Sequence, residues 1–205
     1  MVKLVAVVAL FAVLAVAAHA QQQFIVNPDM DGCGTSNGRL TSWSGSYSTS
    51  SPFAASVNPQ SAGFALANDP GPGACAAAWT QGSTAITQTL NVPQSLVREY
   101  FVFQTYYGCA VASGTGTCRL ELKFGGVVYM LPNSVSRKTV TGPAGSYSLV
   151  ETPVSLRTRN DVVSISCITT GGARCFIAKA TLTLTARPSP EPARTQKPIP
   201  GFPKP

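Results

Sequence analysis

The sequence predicts an all-β protein, a two-layer antiparallel β-sandwich of jelly-roll type, and three observations predict it. Short segments alternate apolar and polar residues with a period of two. Turn-forming runs separate them: NDPGPG, NVPQS, FGG, TGPAGS and TTGGAR. No segment sustains a helical period. A strand with one apolar face must bury that face against a second sheet, which makes two layers.

The elements follow in chain order. At the N-terminus, Lys3 precedes an apolar run from Leu4 to Ala18, which closes on Ala18-His19-Ala20, a small-x-small cleavage signature. This pattern predicts a secretory signal peptide over 1–20, since the run is too short to span a membrane comfortably. Residues 21–186 have the length of one domain with a sizeable core. In AITQTLNV, Ile86, Leu90 and Val92 share a face with Gln88. In EYFVFQTYY, Phe101, Phe103 and Thr105 oppose Tyr100, Val102, Gln104 and Tyr106. In CRLELKF, Leu120, Leu122 and Phe124 oppose Arg119, Glu121 and Lys123. In DVVSISC, Val163, Ile165 and Cys167 oppose Val162, Ser164 and Ser166. In FIAKATLTLT, Ala178, Ala180, Leu182 and Leu184 oppose Lys179, Thr181 and Thr183. Residues 187–205 carry seven prolines and four basic side chains against Glu191. They predict an extended, basic, disordered tail.

Charge and composition exclude several functions. Within 21–186, ten basic residues face seven acids, and the positive charges are scattered. Nucleic-acid binding is not expected, and no second apolar stretch of spanning length implies a membrane partner. The one histidine is His19, inside the predicted signal. A Ser-His-Asp or Cys-His site, or a metal held by imidazole, is therefore not expected in the mature chain. The seven acids lie mostly in turns or beside a base and form no evident pair, which argues against a glycosidase.

Six cysteines remain, Cys33, Cys75, Cys109, Cys118, Cys167 and Cys175, with no C-x-x-C spacing. An even number in an oxidising compartment predicts disulfides. Cys109 and Cys118 bracket AVASGTGT, and Cys167 and Cys175 bracket ITTGGAR. Both inner segments are turn-like, so the favoured set staples two hairpins and leaves Cys33 with Cys75. The rival pairing joins Cys118 to Cys167 across neighbouring strands.

The order of these motifs resembles a known family. VNPDMDGCGTSNGRLTSWSGS, AITQTLNVPQSLVREYFVFQTYY, CRLELKFGG, VVSISC and CFIAKATLTLT are similar to successive signatures of secreted galactose-binding-like jelly rolls. These are the carbohydrate-binding modules of bacterial cellulases and xylanases, with stand-alone fungal secreted relatives. The resemblance covers most of 24–186 and implies a secreted, non-catalytic polysaccharide-binding protein, extracellular or wall-associated. Family members are usually joined to a catalytic domain, and no such domain is read here. The family often holds a structural calcium with an Asp pair in its final strand, where this chain has Ala178-Lys179. A lysine repels calcium, so no metal or other cofactor is expected despite Asp29 and Asp31. Trp43 falls at the family's packing tryptophan, whereas Trp79 reads equally as core or sugar platform.

Sugar sites combine aromatic faces with planar polar groups. Tyr100, Gln104, Tyr106, Arg119 and Glu121 supply both. They share one surface if the strand from Tyr100 pairs with the strand from Arg119 as a hairpin. The alternative is a secreted structural or host-interaction protein with no glycan ligand, its tyrosines merely covering the sheet. A monomer is expected in either case.

Overall fold

The structure is a computed structural model that describes residues 23–30, 40, 42–45, 53–70, 75–79 and 82–185, with the backbone alone at 53–57 and 82–84. The predicted signal peptide, Asp31, Cys33 and the proline tail lie outside the described residues.

Two antiparallel sheets face each other. One contains β1 (Ser44–Gly45), β5 (Gly82–Thr89), β12 (Val162–Thr170) and β7 (Thr115–Phe124), in that order. Its far edge is shared by β8 (Val127–Tyr129) and β9 (Arg137–Thr141), which pair with opposite ends of β7. The other sheet runs β11 (Ser148–Ser155), β6 (Tyr100–Val111), β13 (Ala173–Leu184), β4 (Ala76–Trp79), β2 (Phe53–Val57). Consecutive long strands thus alternate between layers, giving the jelly-roll sandwich that the sequence predicts.

The period-two pattern selects the inward faces. Leu120, Leu122 and Phe124 of one sheet meet Phe101 and Phe103 of the other in a single core. Phe103 and Phe124 pack edge to face with centroids 5.1 Å apart. Gln88 is the polar member of its buried face and is fully employed. Its Oε1 accepts from the Val26 amide, and its Nε2 donates to the carbonyls of Val26 and Ser42. It pins the N-terminal segment to the sheet, as a buried amide must be pinned. Trp43 is buried, with Nε1 donating to the Asn27 carbonyl at 3.3 Å. Trp79 is wholly enclosed, so it is core rather than a sugar platform.

Both favoured disulfides are present, Cys109–Cys118 and Cys167–Cys175. Cys75 is also disulfide-bonded; its expected partner, Cys33, is not among the described residues. The hairpin reading, however, is corrected. Cys109 lies on β6 and Cys118 on β7, in opposite sheets, and Cys167 on β12 and Cys175 on β13 are likewise in opposite sheets. Each bridge crosses the core between layers. In CITTGGARC the turn is Gly171-Gly172, both at positive φ (64° and 73°), which carries the chain from one sheet to the other.

A second correction concerns the outer surface of the five-stranded sheet. Part of it is buried under a cover made by residues 58–70 and the short parallel pair β3 (Ala65–Ala67) and β10 (Ala144–Ser146). Phe64 and Tyr147 pack there on Ala76, Ala78, Ala110, Phe176 and Ala178. Ala178 faces this cover instead of the main core, because β13 shifts register between Ile177 and Lys179. The cover sits close: a Cβ on Gly145 would lie 2.5 Å from the Cys109 carbonyl oxygen.

Candidate functional site

The five candidate residues do not share a surface. The strands β6 and β7 do not pair; they belong to opposite layers. Tyr100, Gln104 and Tyr106 lie on the outer face of the five-stranded sheet, whereas Arg119 and Glu121 lie on the outer face of the other. Period two tells which residues of a strand go together, but not which sheet the strand joins. Arg119 and Glu121 form an ion pair with each other, Nη2 to Oε1 at 3.7 Å. Lying on a solvated face, that pair contributes little to stability.

The three residues of β6 do form an open face with new neighbours. The cover ends at Tyr106, which packs against the edge of its cluster together with Leu66. Beyond it the register sets out cross-strand rows. Tyr106 stands between Leu149 of β11 and Lys179 of β13. Gln104 stands between Glu151 and Thr181, and Val102 between Pro153 and Thr183. Tyr100 stands opposite Ser155. Gln104 Nε2 donates to Glu151 Oε1, while Thr181 Oγ1 donates to Gln104 Oε1 at 3.4 Å. The amide is therefore held in plane across three strands. Tyr106 and Tyr100 are half-buried and stand on either side of it along the strand. With a rise of about 3.3 Å per residue, the face from Tyr100 to Tyr106 is roughly 20 Å long.

Sequence reasoning missed Glu151 and Thr181 as partners of Gln104. The signal was present in SLVETPVS, where Val150, Thr152 and Val154 are buried and Glu151 and Pro153 are exposed. It also missed a cleft of about 340 Å³ in the cover, whose lining includes Asn58, Gln60, Leu66, Asp69 and Tyr147. Those residues come from two loops distant in sequence, and no local pattern joins them.

The remaining acids are largely committed to structure. Asp161 is buried, its carboxylate accepting from the Arg157 amide and from Thr158 Oγ1, each at 2.6 Å. Asp29 Oδ1 lies 3.2 Å from Lys179 Nζ, so an ammonium meets the carboxylate at the position that departs from the calcium-binding pattern. Among the described residues no three His, Cys, Asp or Glu side chains converge as metal ligands.

An all-β jelly roll with an open aromatic and amide face is the class that fold and geometry define. No protein-family model and no curated protein matches the chain. Solved structures of similar shape exist at low identity. One is a family 61 carbohydrate-binding module in complex with β-1,4-galactotriose, with TM-score 0.48, 13% identity, and coverage of 80% of this chain and 100% of that one. Another is the CBM22-1 xylan-binding domain of Xyn10C from Paenibacillus barcinonensis, with TM-score 0.45, 11% identity, and coverage of 80% and 96%. A third is the K2 cleaved adhesin domain of Lys-gingipain, with TM-score 0.45, 9% identity, and coverage of 74% and 94%.

Proposed function

We propose that this is a secreted, non-catalytic, monomeric protein that binds a polysaccharide on the open face of its five-stranded sheet. The observation that carries this reading is the Gln104 amide, fixed by Glu151 and Thr181 between two half-buried tyrosines. A planar amide offers a donor and an acceptor to neighbouring hydroxyls, and tyrosine rings offer apolar faces to the C–H side of a sugar. Paired cysteines support an oxidising, extracellular compartment. The commitment of Asp29, Glu121, Glu151 and Asp161 to partners favours binding over hydrolysis. Arg119 and Glu121, on the far side of the sandwich, are not part of this face.

The experiment is depletion of the protein by insoluble glucan, xylan and chitin at low and high salt, with Tyr106→Ala and Gln104→Ala beside the wild type. The wild type binds at least one of the three at both salt concentrations, because neutral sugars engage no charge. Tyr106→Ala weakens binding by on the order of 1 kcal/mol. Binding to none of the three would remove the carbohydrate reading in favour of a structural or host-interaction role. Equal binding by both variants would move the site elsewhere on the molecule.

A further inference from the structure

The cover on the five-stranded sheet contains the cleft of about 340 Å³. Its buried lining is Pro59, Phe64 and Tyr147, and its solvent-accessible polar lining is Asn58, Gln60 and Asp69. The backbone that carries these groups is tied down. In the turn at 58–64, the Ala62 amide donates to the Asn58 carbonyl at 3.1 Å and the Phe64 amide to the Pro59 carbonyl at 2.9 Å. The Tyr147 amide donates to the Ala67 carbonyl at 2.9 Å, which fixes β10 to the segment that carries Asp69. Gly108 seats the Tyr147 ring, since a Cβ there would lie 3.1 Å from its Cδ1 and Cε1. Phe64 is engaged by Phe176 and by the Arg174 guanidinium, 5.0 Å over its ring.

The polar lining keeps hydrogen-bonding capacity. Asn58 Oδ1 accepts from the Ser61 amide at 3.1 Å, which orients the side chain and leaves its Nδ2 donors without a partner among the described residues. The exposed Gln60 amide makes no hydrogen bond among the described residues. Asp69 brings a carboxylate, and among the described residues no basic side chain lines the cleft with it. Burial first, and the Asp69 charge second, raise the Tyr147 pKa, so the phenol keeps its proton.

We propose that this cleft is a second carbohydrate site, which takes a single neutral pyranose. Its volume, about 340 Å³, lies at the small end of the roughly 300–1,000 Å³ of small-ligand sites, room for a sugar ring and not for a chain. A carboxylate accepts from two adjacent hydroxyls, and the Asn58 and Gln60 amides donate to others. Tyr147 supplies aromatic surface for the C–H side of the ring. The Asp69 charge disfavours an acidic sugar by like-charge repulsion. Tyr100, Gln104 and Tyr106 do not line the cleft. The ligand class follows from the cleft's own lining, so the site stands or falls apart from the open face.

The test is titration of the full chain with D-glucose, D-galactose, D-mannose, D-xylose and D-glucuronate, followed by NMR. At least one neutral sugar binds saturably, with a Kd on the order of 1 mM as befits so few heavy atoms, and glucuronate binds at least about tenfold more weakly. Asp69→Asn, an exposed substitution, weakens sugar binding about tenfold, and Gln60→Ala weakens it about threefold or more. Tyr106→Ala leaves it unchanged. Absence of binding by all four neutral sugars overturns the site, as does binding that neither Asp69→Asn nor Gln60→Ala affects. Binding lost in Tyr106→Ala but kept in Asp69→Asn also overturns it, because the sugar then sits on the open face. Retention by insoluble polysaccharide without binding of any free sugar sinks this proposal and leaves the open face standing. The reverse result sinks the open face and leaves the cleft.

Discussion

Cys109 and Cys175 are register partners on adjacent strands of one sheet, and each is bonded to a cysteine of the opposite sheet. Cys118 and Cys167 sit on the neighbouring strands β7 and β12, where Cys118 pairs with Thr169 and Cys167 with Leu120. The two bridges therefore run side by side through one end of the core.

Removing one of them tests that arrangement. The cysteines of the first bridge are nine residues apart. For a loop that short, chain entropy alone assigns the link about 2.5 kcal/mol. Urea unfolding of Cys109→Ala/Cys118→Ala should show a loss of that order. Because the bridges are neighbours, the loss on removing both should differ from the sum of the two. An unchanged midpoint for the first variant would mean that packing alone sets the spacing of the layers.

Gly145→Ala probes the seating of the outer cover. The added methyl would meet the Cys109 carbonyl oxygen at 2.5 Å and Leu66 Cδ2 at 3.0 Å. Backbone cannot give way as a side chain can, so β10 must lift. Thermal unfolding should show a loss of about 1–3 kcal/mol. Limited proteolysis should then cut faster within residues 58–70. Wild-type stability and cleavage rates together would show that the cover rests loosely on β6.

Tyr107→Phe is expected to cost nothing. The Tyr107 hydroxyl is buried without a hydrogen-bond partner, while its ring and carbonyl do the packing and accept from Lys138. A buried unpaired hydroxyl is a penalty of roughly 1–3 kcal/mol, so calorimetry should find an equal or higher melting point. A clear drop would reveal a partner for the hydroxyl.

Stability should rise with pH between about 8 and 10, then fall. The folded pKa of Lys138 is about 8, below the ordinary lysine value. Over that interval the unfolded chain holds more protons, so raising pH favours the folded state. Burial raises the pKa of Tyr107 and Tyr147. Above about pH 10 the unfolded tyrosines ionise first, and the trend reverses. Lys138→Met should lose the rising limb and keep the falling one. Urea midpoints measured against pH check this; a rising limb that persists in the variant would assign it to another group.

The strand faces were legible in the sequence because burial imposes period two on each strand separately. The faces of CRLELKF, DVVSISC and EYFVFQTYY are those of the structure, and the buried Gln88 sits where its apolar neighbours place it. The cysteine spacings were legible for a similar reason: a two- or three-residue turn brings its flanks together whichever sheets they enter. Sheet membership was not legible. Nothing in Tyr106 or Arg119 records that the chain changes layers at 112–114, and that change separates the five candidate residues. The cover was half-legible. Ala76, Ala77 and Ala78 are apolar on both faces of a strand, the mark of a strand buried on both sides. Small residues at Gly108, Ala110 and Ala178 leave the room that Phe64 and Tyr147 occupy. The register shift at Ala178 left no trace in an otherwise regular alternation.

Two bridges at the same end make the sandwich a book bound along one spine. Near the 112–114 and 171–172 turns the layers are joined covalently. At the other end Phe101, Phe103, Phe124 and Val163 pack between them, and residues 23–28 hydrogen-bond to Ala180 and Leu182 of one layer and to Gln88 of the other. Partial opening is therefore one-sided, and it exposes amides around Tyr100–Phe103 to hydrogen exchange before those around Cys109. The Tyr100 end of the open face can yield to a ligand by breathing of the unbound pages, while the spine keeps the fold.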